Sequence, residues 1–202
     1  EDQGRTLWNR ALCNRIIAAS DKVVAIAKGI YGKYADAVPA EKLALVHDGA
    51  DSSRFLRPDR PVMQTKPYTF IMVGGICGYK GHIDFAEACA RLWAGGFRDF
   101  KVRLVGGANE ETKAQCDAIF RKAGMESVVE YCGRQSRPED FFAKADISFT
   151  CSRFEAFGRV TVEAMMSGCL VIGRNSGGTA ELIDDGKTGL LYSAEGDVAA
   201  NL

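Results

Sequence analysis

Several things are missing from this 202-residue chain, and each absence removes a class of protein. No run approaches the ~20 apolar residues that a membrane-crossing helix needs. Lys plus Arg number 26 and Asp plus Glu number 26, so the net charge is zero and no basic tract marks a nucleic-acid partner. The seven cysteines are odd in number and form no C-x-x-C pair, which removes the common zinc spacings and a disulfide framework. They read as reduced, mostly buried thiols of a cytosolic protein. Histidine occurs only twice, at His47 and His82, and each reads as a surface residue, His82 in the capping region of a helix. No Ser or Thr completes a Walker loop after Lys80. A dinucleotide fingerprint also fails, because the second strand ends Val105-Gly106-Gly107 where a carboxylate is wanted. The chain begins at Glu1 without methionine or signal pattern, and it stops at Leu202 inside what reads as a starting helix. The expectation is a piece of a longer protein.

What is present is an alternation of strands and helices. Arg5 to Ser20 reads as a helix with Trp8, Leu12, Ile16 and Ala19 on one face, its arginines solvated. A strand over 22–27, a helix over 29–35 and a strand over 43–46 follow. Residues 57–67 hold three of the five prolines and read as linker. Beyond Pro67, strands are expected at 69–73, 101–105, 128–132, 146–150, 169–173 and 189–192. Helices are expected at 83–93, 110–123, 139–144, 160–167 and 179–184. Six apolar strands joined through helices require crossover connections, hence a parallel sheet covered on both faces. The fold class is α/β and Rossmann-like. Such sheets bind ligands beyond the carboxyl ends of their strands, where this chain places its glycine-rich turns.

The densest of these turns lie between Cys151 and Gly189. Glu155 and Glu163 stand with seven residues between them, and a helix begins just after Gly158. Its unpaired N–H groups and positive dipole end attract phosphate. A carboxylate beside that place needs another object to face, or one glutamate simply caps the helix. Earlier, Gly74-Gly75-Ile-Cys-Gly78-Tyr79-Lys80-Gly81 links a strand to a helix and sets an ammonium at a turn. A fixed ammonium stabilises a departing diphosphate.

The segment Glu155-Ala-Phe-Gly-Arg-Val-Thr-Val-Glu163, with Gly177-Gly178-Thr-Ala-Glu181 and Gly186-Lys-Thr-Gly189-Leu-Leu191 after it, resembles the group 1 family of retaining nucleotide-sugar glycosyltransferases. Three linked motifs in order carry the resemblance. It implies the GT-B architecture, two Rossmann-like domains facing across a cleft, with this chain as the C-terminal donor-binding half. Residues 1–48 would be the tail of the N-terminal acceptor domain with its crossing strand, 49–67 the interdomain linker, and 68–202 the nucleotide-sugar domain.

The implied reaction is retaining, hexosyltransferase-type transfer of a sugar from a UDP- or GDP-linked donor to a glycan, lipid or small-molecule acceptor. The acceptor would be bound mainly by the N-terminal half, and the fragment alone would be nearly inactive. The resemblance makes Glu155 and Lys80 catalytic, Glu155 beside the donor sugar and Lys80 on the diphosphate. It puts Glu163 on the ribose, and Phe157, Gly158 and Val160 along the sugar and diphosphate. Arg134, after Cys132-Gly133, would border the base or a phosphate. Gly75 stands where the family usually carries arginine, so a phosphate ligand is either lost or supplied by another side chain.

With no Asp-x-Asp motif, the resemblance implies neither a metal nor a cofactor. The expected setting is cytoplasmic, which leaves open attachment of the parent to the inner membrane face. Two other readings stand beside this one. A two-carboxylate glycosidase leaves Lys80 unexplained. A non-catalytic nucleotide-sugar-binding protein on the same fold is favoured by Gly75.

Overall fold

The computed structural model describes residues 12–57, 59 and 66–193. Expectations on residues outside these, including Arg5, Trp8, most of the proline-rich stretch and the helix expected to start at the end, fall beyond the described part. The chain divides into two compact units, residues 1–48 and 49–202.

The first unit contains α1 (residues 12–19), β1 (Val23–Ala25), α2 (Lys28–Tyr34) and β2 (Leu43–Leu45). The strands pair in parallel, Val23 opposite Leu43. Ala25, Val38 and Leu43 form its small core, with Ile17, Ile30 and Tyr31 packed around them. Leu12, Ile16, Val24 and Val46 remain more than half exposed.

The second unit opens with α3 (Ser52–Phe55), a short helix inside the stretch expected to be linker. The Asp51 carboxylate accepts the Ser53 N–H and starts the turn. Phe55 is buried edge-on to Phe142, and Arg57 N–H donates to the Met166 carbonyl. The beginning of the expected linker is therefore docked on this unit.

Then come β3 (Tyr68–Val73), a 3-10 turn (Gly78–Lys80), α4 (His82–Ala94), β4 (Phe100–Val105), α5 (Glu110–Lys122) and β5 (Val129–Gly133). The second half holds α6 (Glu139–Phe142), β6 (Ile147–Thr150), α7 (Arg159–Met166), β7 (Leu170–Arg174), α8 (Gly177–Leu182) and β8 (Leu190–Tyr192). All six strands pair in parallel in the order β5-β4-β3-β6-β7-β8.

Alternation along β3 feeds two cores. Phe70 and Met72 join Phe85, Phe100 and Phe149 on one face, whereas Ile71 joins Val105, Phe142, Ala164 and Val171 on the other. Both faces are covered, as parallel sheets require. The Phe70 and Phe100 rings stack at 4.5 Å and Phe85 meets Phe149 at 4.7 Å, which pins β3, β4, β6 and α4 together. At the amino end of the sheet the buried Asp146 carboxylate accepts the Thr69 N–H at 2.7 Å, fixing β6 beside β3. Of the cysteines, 89, 116, 151 and 169 are buried, 77 and 132 partly so, and Cys13 is exposed. His82 corrects its expectation. It is 1% exposed, because the tight turn at Gly81 carries the first residue of α4 beneath the loop instead of out to solvent.

Candidate functional site

From β3 the strand order runs outward through β4 and β5, and from β6 it runs the other way through β7 and β8. The reversal leaves a crevice between the carboxyl ends of β3 and β6, the place where open α/β sheets hold ligands. Lys80 follows β3 and Glu155 follows β6. Across the crevice Lys80 Nζ donates to Glu155 Oε1 at 2.5 Å, both side chains only partly exposed. The Ser152 hydroxyl donates to the same oxygen at 2.6 Å. One carboxylate oxygen thus receives both donors, which leaves Oε2 available to a ligand hydroxyl, and the ammonium keeps two further N–H groups.

The two loops are held together by main chain. Gly81, at φ +76°, lies against the Cys151 carbonyl so closely that a Cβ would collide with it. Arg153 N–H donates to the Tyr79 carbonyl at 3.0 Å, and the Tyr79 hydroxyl donates to the Phe154 carbonyl at 2.8 Å. On the other side Gly178 N–H donates to the Glu155 carbonyl at 2.7 Å. A Cβ on Gly177 would strike the Glu155 carbonyl, and one on Gly178 the Phe157 carbonyl. This close approach explains the glycine pair. It also starts α8 two residues earlier than expected.

Gly158, at φ +96°, is the N-cap of α7, and no side chain caps this helix. Neither glutamate is therefore a cap. Phe157 and Gly158 are buried and Val160 is half-buried against the core, so the amino end of α7 is fixed beside Glu155. The Thr150 and Thr161 hydroxyls lie 3.1 Å apart and tie α7 to β6.

Glu163, one turn further along α7, is 8% exposed. Burial raises its carboxyl pKa, opposed by Arg159, whose Nη2 lies 3.5 Å from Oε1, and by Arg54. Arg54 itself, from α3, donates to the buried Glu139 carboxylate at 2.7 Å.

Gly75 sits in the turn after β3, beside Gly107. The nearest atom to a Cβ built there would be the Gly107 carbonyl at 3.9 Å, so a side chain fits. Arg134 follows Gly133 at the end of β5, the sheet's edge strand, and is exposed. The structure thus joins Lys80, Glu155, Phe157 and Gly158 at one crevice. It places Glu163 in a neighbouring cluster of charges and Arg134 at the sheet's edge. Ser152, Tyr79 and Arg54 were missed from the sequence. Only Arg54 carried a local signal, since Asp51-Ser-Ser before it is an N-cap pattern. Among the described residues no three His, Cys, Asp or Glu are grouped to hold a metal, and no helix is long and apolar enough to cross a membrane.

Comparison with known proteins finds the same fold elsewhere. The solved structure of Anabaena HepE in complex with UDP and glucose superposes with a TM-score of 0.82 at 20% identity, covering 95% of this chain and 55% of that one. The C-terminal domain of the group 1 glycosyl transferase LpcC from Francisella tularensis gives 0.66 at 23% identity, covering 75% of this chain and 85% of that one. At those identities the likeness concerns the fold, the C-terminal half of the GT-B architecture. A D-inositol 3-phosphate glycosyltransferase of Paenarthrobacter aurescens is 29% identical over 180 residues, which are 76% of this chain but 43% of the relative. The chain spans less than half the length of that curated relative. The profile "Glycosyl transferases group 1" matches residues 55–201, the greater part of the chain and the whole of the parallel sheet, and on that match the chain belongs to the group 1 glycosyl transferases.

Proposed function

We propose that the protein containing this chain transfers a sugar, with retention, from a UDP- or GDP-linked donor, and that residues 49–202 hold the donor. The observation that carries the reading is the Lys80–Glu155 pair in the crevice between β3 and β6, beside the amino end of α7. A nucleoside diphosphate leaves with negative charge on its phosphate oxygens. Lys80 and the α7 amides stabilise that charge where it develops. Glu155 orients the sugar hydroxyls through its second oxygen and favours positive charge growing at the anomeric carbon. Because Lys80 and Glu155 touch, leaving group and reacting sugar are held on either side of one ion pair, in register with each other.

Glu163 takes the ribose hydroxyls, Phe157, Gly158 and Val160 border the sugar and diphosphate, and Arg134 borders the base. The acceptor binds mainly to the part of the relatives that this chain does not span. The isolated chain accordingly binds donor but transfers almost nothing. Attachment of the parent to the inner membrane face belongs to the same proposal, as does a cytoplasmic setting.

Calorimetry with UDP, GDP and ADP, with and without EDTA, tests the donor site. Micromolar to millimolar binding of one diphosphate that survives EDTA is expected. Binding to none, or binding that EDTA abolishes, overturns the reading. A second reading, a nucleotide-sugar-binding protein without transfer, is favoured by Gly75 in place of the family's arginine. Donor turnover by the full-length protein separates the two.

A further inference from the structure

His82 is a puzzle of packing. It is 1% exposed, yet its Nε2 is buried with no hydrogen-bond partner among the described residues. A buried polar atom without a partner is a cost that leucine or phenylalanine would not incur in the same volume. Its other nitrogen explains the choice. Nδ1 lies 3.4 Å from the Cys77 carbonyl, and a carbonyl only accepts, so Nδ1 carries the proton and Nε2 the bare lone pair. That carbonyl also accepts the Lys80 N–H at 3.1 Å, closing the 3-10 turn Gly78–Lys80. One carbonyl thus joins the imidazole beneath the loop to the backbone of the residue whose ammonium reaches Glu155.

We propose that His82 is a positioning residue of the donor site: its Nδ1–H holds the Cys77 carbonyl and thereby aims the Gly78–Lys80 turn, and with it the Lys80 ammonium, at Glu155 and the donor diphosphate. The diphosphate part rests on the proposed function; the clamp itself rests on geometry alone. The imidazole stays neutral in this role. Burial, with the Lys80 charge adding to it, lowers its pKa to about 4 in spite of the bond to Cys77. The ring therefore carries a single N–H throughout the physiological range, and the Cys77 carbonyl keeps that N–H on Nδ1.

The test uses the chain as it is, with three substitutions. Asn places an amide N–H where Nδ1 stands, Gln places one nearer Nε2, and Leu supplies neither. With UDP as probe, His82→Asn should keep affinity within about twofold. His82→Gln and His82→Leu should each weaken it roughly tenfold, at melting temperatures close to that of His82→Asn. Long-range 1H–15N correlation should find one of the two histidines as the Nδ1–H tautomer at neutral pH, with His47→Asn completing the assignment. Hydrogen exchange at residues 78–81 should quicken in the Gln and Leu variants and not in the Asn variant.

An Nε2–H tautomer at His82, or an Asn variant as impaired as Leu, overturns the proposal. If Leu does not fold, the Asn and Gln variants still decide it. If the native chain binds no nucleoside diphosphate, the donor reading fails, and the tautomer and exchange measurements still judge the clamp.

Discussion

Lys80 Nζ lies 2.5 Å from Glu155 Oε1, although 75 residues separate the two in the chain. An ion pair this close makes each side chain part of the other's environment. The two are nevertheless proposed to act at different stages, Lys80 on the bound diphosphate and Glu155 on the reacting sugar. Lys80→Met should weaken UDP or GDP binding about 10- to 100-fold, the loss of a charged hydrogen bond. In the full-length protein Glu155→Gln should leave that affinity within about threefold while lowering kcat, because the positive charge it is proposed to face grows only as the bond from sugar to diphosphate breaks. Donor-titration kinetics on both variants check this. A Glu155→Gln enzyme with near-native kcat contradicts the assignment.

Glu163 carries a prediction with two sides. Its proposed contact, the ribose, does not change during reaction, so Glu163→Gln in the full-length protein should raise the donor KM roughly 10- to 100-fold and leave kcat nearly intact. Stability should move the other way. Burial raises this carboxyl pKa in the fold, so the folded chain binds a proton more readily than the unfolded one. The stabilisation associated with the protonated form is complete below the ordinary glutamate range. It is lost as pH rises through the raised value. Glu163→Gln should therefore melt higher than the native chain at neutral pH, with the gain shrinking as the buffer is acidified into that range. Thermal melts across pH on both proteins measure it, and a variant that melts lower at neutral pH refutes the account.

The two glutamates also show where reading the sequence reaches its limit. Hydrophobic runs such as Phe70-Ile-Met-Val73 place each strand of the sheet to within about two residues, because a strand covered on both faces has little freedom to shift. Glu155, Gly158 and Lys80 were legible from motif spacing. Their juxtaposition was not, since the order in which strands assemble is set by packing between segments distant in sequence. The same limit hid His82: a histidine after a glycine turn looks like a helix start in solvent, and only the closeness of Gly81 to Cys151 puts it inside. The docking of Phe55 was lost among the prolines that follow it. Arg54 reaches Glu139 across 85 residues, a distance that no local pattern encodes.

Gly75 offers a gain-of-function test. Open space beyond its Cα, with ordinary contact to Gly107 at 3.9 Å, means Gly75→Arg should fold with an unchanged melting temperature. A guanidinium on this loop adds a bidentate phosphate donor. UDP or GDP affinity should rise about 3- to 30-fold, within the range of a charge-assisted bond to an exposed ligand. Calorimetry decides. Unchanged affinity would mean that the diphosphate lies away from this turn.

Gly178 should behave in the opposite manner. A methyl there meets the Phe157 carbonyl, Cα and carbonyl carbon, none of which can yield without moving the loop that carries Glu155. Gly178→Ala should lower stability by about 1–3 kcal/mol, as overpacking does. It should weaken nucleotide binding in the same variant. Chemical denaturation and calorimetry together check this. Destabilisation with native affinity would separate the glycine contact from the site.

The loops around Lys80 and Glu155 meet through bare backbone at Gly81, Gly177 and Gly178, where a single added carbon has no room. A repertoire of donor preferences is therefore proposed to lie on the rim, in the exposed side chains of Tyr79, Arg134, Arg153 and Phe154. A combinatorial library aimed at a different base or sugar belongs at those four positions. Diversity spent on the glycines would mostly return destabilised chains.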